Sequence, residues 1–274
     1  MAGFDDEDDA GAQLVKGLLI GNPGAGKTGA LESLVAAGYA LRIYDFDNLL
    51  GSLRSFVMKQ CPEKASLVKY QTFTDKMKGV DIPLVMNGGA MKVMPFVSGT
   101  PSALPRALKQ LNHWKTEKED LGDPATWGRE TFVIIDSLTA VGQSAFRYVN
   151  AMNPGAKDQQ ACYHAAQHLV MNMLYLLASK DFATNVLVLA HIDYDKDSQG
   201  NLVKGWPRSI GSALNTQIGG VFNCVLCAEQ VGSKRQIRTN AHGMIDLKNP
   251  ASHSLPDILP LETGLATFVK AVLT

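Results

Sequence analysis

Eight consecutive residues, Gly21, Asn22, Pro23, Gly24, Ala25, Gly26, Lys27 and Thr28, carry the most readable chemistry in this chain. They spell G-x-x-x-x-G-K-T, the spacing of a phosphate-cradling P-loop. Glycines let the backbone curl through positive φ and turn several N–H groups toward one anion, which Cβ atoms would obstruct. Lys27 then meets the β and γ phosphates of a nucleoside triphosphate, and Thr28 offers its hydroxyl to Mg²⁺. The positive end of a helix starting there favours the negative charge.

Carboxylates at the ends of two strand-like runs supply the other half of such a site. Residues 131–137, TFVIIDS, read as a buried strand ending in Asp136, whose carboxylate can hold the water shell of Mg²⁺ opposite Thr28. Residues 41–47, LRIYDFD, alternate toward a second strand ending in Asp45 and Asp47. An α/β fold places such ends at the carboxyl edge of its sheet, where ligands bind.

The elements that must position these groups follow from periodicity. Leu14, Val15, Leu18, Leu19 and Ile20 form a buried strand entering the loop. Leu31, Leu34 and Val35 continue at helical spacing until Gly38 stops the helix at C′. Further on, a short helix is expected over residues 49–59, a strand over 67–74, a long helix over 159–179 and a strand over 185–191, which ends in His191. Two more strands, at 221–228 and 236–241, precede a last helix burying Leu265, Phe268, Val269 and Val272. Alternating strands and helices favour a mostly parallel sheet covered on both faces.

Residues 76–128 interrupt this alternation and read as an insertion: a hairpin about Asn87-Gly88-Gly89, then a helix burying Leu104, Ala107, Leu108 and Leu111, then a solvated connector. Residues 150–158 read as a loop, and residues 193–211, with Lys196, Lys204 and Arg208 around Trp206, as a mobile one. Three other groupings imitate sites. His164 and His168 stand one helical turn apart, but Ala165 occupies the place of a zinc-protease glutamate. Cys224 and Cys227 would point to opposite faces of a strand, as core thiols. Asp193, Asp195 and Asp197 start like a calcium loop, but Ser198 and Lys204 stand where glycine and glutamate are needed.

The whole chain of 274 residues has 46% hydrophobic content, enough for one large domain with a real core, and a formal net charge of zero, so nothing in the total demands nucleic acid or an anionic membrane. The run Asp5, Asp6, Glu7, Asp8, Asp9 is read as part of a mobile acidic tail over residues 1–12, ahead of a single domain over 13–274. With no apolar stretch of membrane-spanning length, no secretion signal and only four scattered cysteines, a soluble cytoplasmic protein with reduced thiols is expected.

With GNPGAGKT, IYDFD (43–47), VIIDS (133–137), NVLVLAHI (185–192) and LKNP (247–250) in this order, the chain resembles the RecA-type ATPases, most closely the small phage members associated with single-strand annealing and recombination. The resemblance covers about residues 14–250. It implies a RecA-like P-loop core that binds and hydrolyses ATP with Mg²⁺. Asp47 matches the family's water-orienting acid, His191 its polar sensor of the γ-phosphate, and Lys248 the lysine that a neighbouring protomer donates in trans. The family's DNA loops correspond to residues 150–161, containing Lys157, and 194–212, containing Lys196, Lys204, Trp206 and Arg208. The implied partners are single-stranded DNA, further copies of the chain in a ring or filament, and a phage single-strand-binding protein, with no membrane. A rival reading is a nucleotide-gated scaffold that assembles with ATP and ignores DNA. A third, a small-molecule kinase, lacks an arginine-rich lid.

Overall fold

The computed structural model describes residues 13–76, 85–87, 90–92, 99–155, 159–241 and 243–274. The acidic run and Lys157 lie outside the described residues. In chain order, β1 (Lys16–Gly21), α1 (Lys27–Ala36), β2 (Ala40–Asp45), α2 (Gly51–Gln60) and β3 (Val68–Thr72) come first. A hairpin, β4 (Val85–Asn87) and β5 (Ala90–Lys92), is followed by α3 (Ala103–Asn112) and a second small hairpin, β6 (Trp114–Lys115) and β7 (Asp120–Gly122). Then follow β8 (Gly128–Asp136), α4 (Leu138–Met152), α5 (Gln159–Ala178), β9 (Thr184–Ala190), β10 (Ile192–Lys196), β11 (Leu202–Pro207) and α6 (Ser212–Val221). The chain closes with β12 (Cys224–Val231), β13 (Lys234–Arg238), β14 (Ile258–Pro260) and α7 (Leu261–Leu273).

Eight strands form one sheet in the order β14-β13-β12-β1-β9-β8-β2-β3. The run from β12 to β3 is parallel throughout, and β13 and β14 extend it antiparallel at one edge. The sheet is buried on both faces, as near-continuous apolar strands require. Leu19, Leu41, Ile43, Ile134 and Leu189 pack with α1, α2 and α7 on one face, and Leu18, Tyr44, Val133, Ile135 and Val188 with α3 to α6 on the other. Adjacent residues Leu18 and Leu19 thus serve different cores, which is the period of two at work. Cys224 and Cys227 divide in the same way.

Strand β9 lies between β1 and β8, so the P-loop strand and the strand ending in Asp136 are not neighbours. The tip of β9, and with it His191, therefore opens between them. The inserted segment is tied to the core by buried Leu104, Ala107 and Leu111, by Tyr44 Oη donating to Gln110 O at 2.9 Å, and by a carboxylate at its start. Asp75 Oδ1 accepts the backbone N–H groups of Ser102 and Ala103 at 2.8 and 2.9 Å, capping α3, while Arg147 Nε of α4 lies 3.2 Å from its Oδ2. Beyond α3, the expected connector is more ordered than a solvated stretch: β6 and β7 pair, and buried Trp114 meets Tyr44 and Trp127 edge-on.

Two further corrections concern helices and the loop after β9. Residues 138–149 carry Leu138, Val141, Ala145 and Val149 into the core as α4, a helix absent from the expected order, which shortens the expected loop. Residues 192–207 are a paired antiparallel hairpin, β10 and β11, not a mobile loop. Backbone pairing through Asp193↔Trp206 and Asp195↔Lys204 satisfies the polar groups that a loop would leave to water. Among the described residues no helix is long and apolar enough to cross a membrane.

Candidate nucleotide site

The P-loop joins β1 to α1, and its last glycine, Gly26, is the N-cap of that helix with φ 96° and no side-chain cap. The first-turn amides are thus left for an external acceptor. Gly24 is also left-handed, at φ 80°. Lys27, the first helical residue, is buried and turns its ammonium back over the loop. It donates to Gly21 O at 2.8 Å and Asn22 O at 3.1 Å, and lies 3.1 Å from His191 Nδ1. An ammonium can only donate, so His191 Nδ1 accepts and its proton resides on Nε2. Burial lowers the Lys27 pKa, against the opposing pull of the Asp136 and Asp47 carboxylates. Burial also lowers that of His191, and the Lys27 charge adds to the effect.

Asp136 ends β8 at 4% exposure, and its Oδ2 accepts the Thr28 hydroxyl at 3.0 Å. Burial pushes its carboxyl up to about 7, while the Thr28 hydrogen bond works the other way. A buried carboxylate so short of compensation, beside a hydroxyl, is a hard-oxygen donor set of the kind Mg²⁺ takes. The residues present fit that ion.

Asp47 reaches the site by a local device. Buried Asp45 accepts the Asn48 N–H at 2.7 Å and the Thr72 hydroxyl at 3.3 Å, and Asn48 adopts a left-handed φ of 56°. The Asp136 carbonyl accepts the Phe46 N–H at 2.6 Å and the Asp47 N–H at 3.3 Å. This pinned turn leaves Asp47 lining a cavity of about 1240 Å³, together with Lys27, Thr28, Asp136 and His191. The first acid of the pair is structural and the second faces the site.

The other expected residues stand apart from this cavity. Lys248 Nζ donates to Gly220 O at 3.3 Å and Phe222 O at 3.2 Å, at the carboxyl end of α6. On the hairpin, Lys204 pairs with Asp246 at 2.6 Å and lies over the Trp206 ring, whose Nε1 donates to Asp195 at 2.6 Å. Lys196 and Arg208 make no ion pair among the described residues. The hairpin is nonetheless rooted at the site. The His191 carbonyl accepts the Arg208 N–H at 2.7 Å, and Tyr194 Oη lies 3.5 Å from Asn22 Nδ2 of the P-loop.

One wall of the cavity has no counterpart in the sequence reading. It comprises Lys234, Arg235 and Gln236 of β13 with Ile258, Pro260 and Leu261 of β14 and α7. The turn at Gly232-Ser233 is a hairpin signal that could have placed β13 beside β12. The meeting of β14 with the P-loop has no local signal.

The model of the AAA domain family matches residues 14–251. No curated protein sequence matches the chain. Among solved structures, an ATPase from the type III secretion system of pathogenic bacteria superposes with a TM-score of 0.40 at 8% identity, over 81% of this chain and 54% of that one. The chain thus spans about half the length of that structure. With the matched region running from the strand before the P-loop to the turn that carries Lys248, the chain belongs to the AAA domain family and is a P-loop ATPase domain.

Proposed function

We propose that the protein hydrolyses ATP with Mg²⁺ and couples hydrolysis to single-stranded DNA, in recombination or annealing of the phage type. The observation that carries the coupling is His191: its ring meets Lys27 while its carbonyl accepts the N–H of Arg208 at the base of the hairpin. A change felt by His191 at the γ-phosphate is one backbone hydrogen bond from Arg208, a cation of the proposed DNA face.

In this reading Thr28 and Asp136 would hold the metal, whose charge would offset that of the phosphates. The P-loop amides and Lys27 stabilise the charge that builds on the phosphoryl oxygens. Asp47 orients water against the γ-phosphorus and accepts its proton as the new P–O bond forms and the bond to the β-phosphate oxygen breaks, giving ADP and phosphate. His191, neutral at pH 7, donates from Nε2 to the γ-phosphate. Lys196, Arg208 and Trp206 contact the strand: cations track phosphates, and an indole stacks on any base.

The test is ATP hydrolysis with and without single-stranded DNA across salt, for wild type and Lys196→Ala/Arg208→Ala. Stimulation that fades with salt and in the variant is expected. A rate indifferent to DNA would favour the scaffold reading, which the hairpin's mixed charge also favours, since Lys204 is paired with Asp246 and faces Asp195 across the strands.

A further inference from the structure

The groups that face the transferred phosphate all lie to one side of β1. Asp136 ends β8 and His191 follows β9, whereas β12, β13 and β14 lie on the other side. The cavity does not stop at the P-loop but continues along this second wall. A triphosphate seated with its γ end at Lys27 and Asp136 therefore leads its nucleoside toward β13.

Arg235 stands on that path. A Cβ placed on Gly26 would lie 2.6 Å from Leu261 Cδ2 and 3.1 Å from Arg235 Cδ, so the arginine stem crosses close over the glycine that opens α1. Its guanidinium makes no ion pair, hydrogen bond or ring contact among the described residues, although Arg238 on the same strand is held by Glu229 at 2.8 Å. A planar cation with apolar Leu261 and Ile258 in the same cavity lining, which also holds Glu32, Lys234 and Glu262, suits the face of a heterocyclic base.

We propose that Arg235 is a nucleotide-binding residue of its own protomer, stacking on the base and holding the nucleoside side of the ligand. This rests on the ATP-site reading above. The alternative role of the same cation, neutralising phosphate, predicts a different ligand dependence.

The experiment is equilibrium titration of the full chain with Mg–ADP, Mg–ATP and Mg–tripolyphosphate, for wild type, Arg235→Ala and Arg235→Lys, with unfolding midpoints measured without ligand to confirm folding. Arg235→Ala is expected to weaken ADP and ATP alike by about tenfold while tripolyphosphate binding stays within about twofold. Arg235→Lys should recover little, and the KM for ATP should rise far more than kcat falls. Unchanged ADP affinity in Arg235→Ala, an equal loss for tripolyphosphate, or full rescue by lysine would overturn the stacking role while leaving the ATP site intact. Failure of wild type to bind ADP at all would instead take down the ATP-site reading.

Discussion

Lys27 spends all three of its N–H donors inside the protein, on two loop carbonyls and one imidazole nitrogen. Phosphate oxygens must replace these acceptors, so the charge that recognises the ligand is held in place before the ligand arrives. Lys27→Ala should lower the hydrolysis rate by at least about a hundredfold with the fold retained by circular dichroism, since it removes a charge aimed at the transferred group. Asp136 adds a pH signature. Its folded pKa, about 7, lies above the ordinary carboxylate value, so between about pH 4 and 7 the native state binds more protons than the unfolded state. Stability of the metal-free protein from this group therefore falls as pH rises through that window. Asp136→Asn should flatten the slope in urea-unfolding midpoints measured from pH 4.5 to 7.5; an unchanged slope would mean that the carboxyl titrates normally.

At the scale of elements, Asp75 is the clearest single support. Its side chain is 2% exposed, caps α3 and lies against Arg147 of α4, joining the inserted segment to the core. Asp75→Ala should cost about 1–2 kcal/mol in denaturant unfolding, because two helix amides lose their cap while the half-exposed Arg147 can turn to water. The parallel strands were legible in the sequence because burial on both faces makes them continuous apolar runs, and the P-loop because its geometry is local. Helix α4 was not. Leu138, Val141, Ala145 and Val149 do have helical spacing, but Gly142 and Ser144 are buried among them and break the apolar stripe: a Cβ on Gly142 would lie 2.7 Å from Ser209 Oγ. The β10–β11 hairpin hid for another reason, since its composition is polar and cross-strand pairing, not burial, orders it. Asp47 was readable as an acid near the sheet edge, but Arg235 was not, because only the antiparallel return of β13 brings it beside Gly26.

For the whole molecule, the decisive question is whether a site is completed by a neighbour. Lys248 does not line its own cavity, and its Nζ is bound at the end of α6. If it acts in trans, Lys248→Ala and Lys27→Ala are each inactive alone, but mixing them creates interfaces in which an intact P-loop meets an intact lysine. Regained hydrolysis in the mixture, near a quarter of the wild-type rate per protomer for random assembly through roughly independent interfaces, is the expected result. A mixture no more active than its components would remove Lys248 from the reaction. The placement of His191 gives this arrangement a mechanical meaning. It is the one residue between β9, fixed in the sheet, and β10. Its N–H is held by Thr139 Oγ1, its carbonyl by Arg208 and its ring by Lys27, and the five residues of β10, at ~3.3 Å each, make an arm of ~17 Å beyond it. A turn of ~10° about that anchor would move the far end by ~3 Å. The arm is also braced: Gly205 N–H donates to Met244 O at 2.9 Å and Lys204 holds Asp246, two residues before Lys248. One hairpin thus touches both the P-loop, through Tyr194 and Asn22, and the segment that carries Lys248.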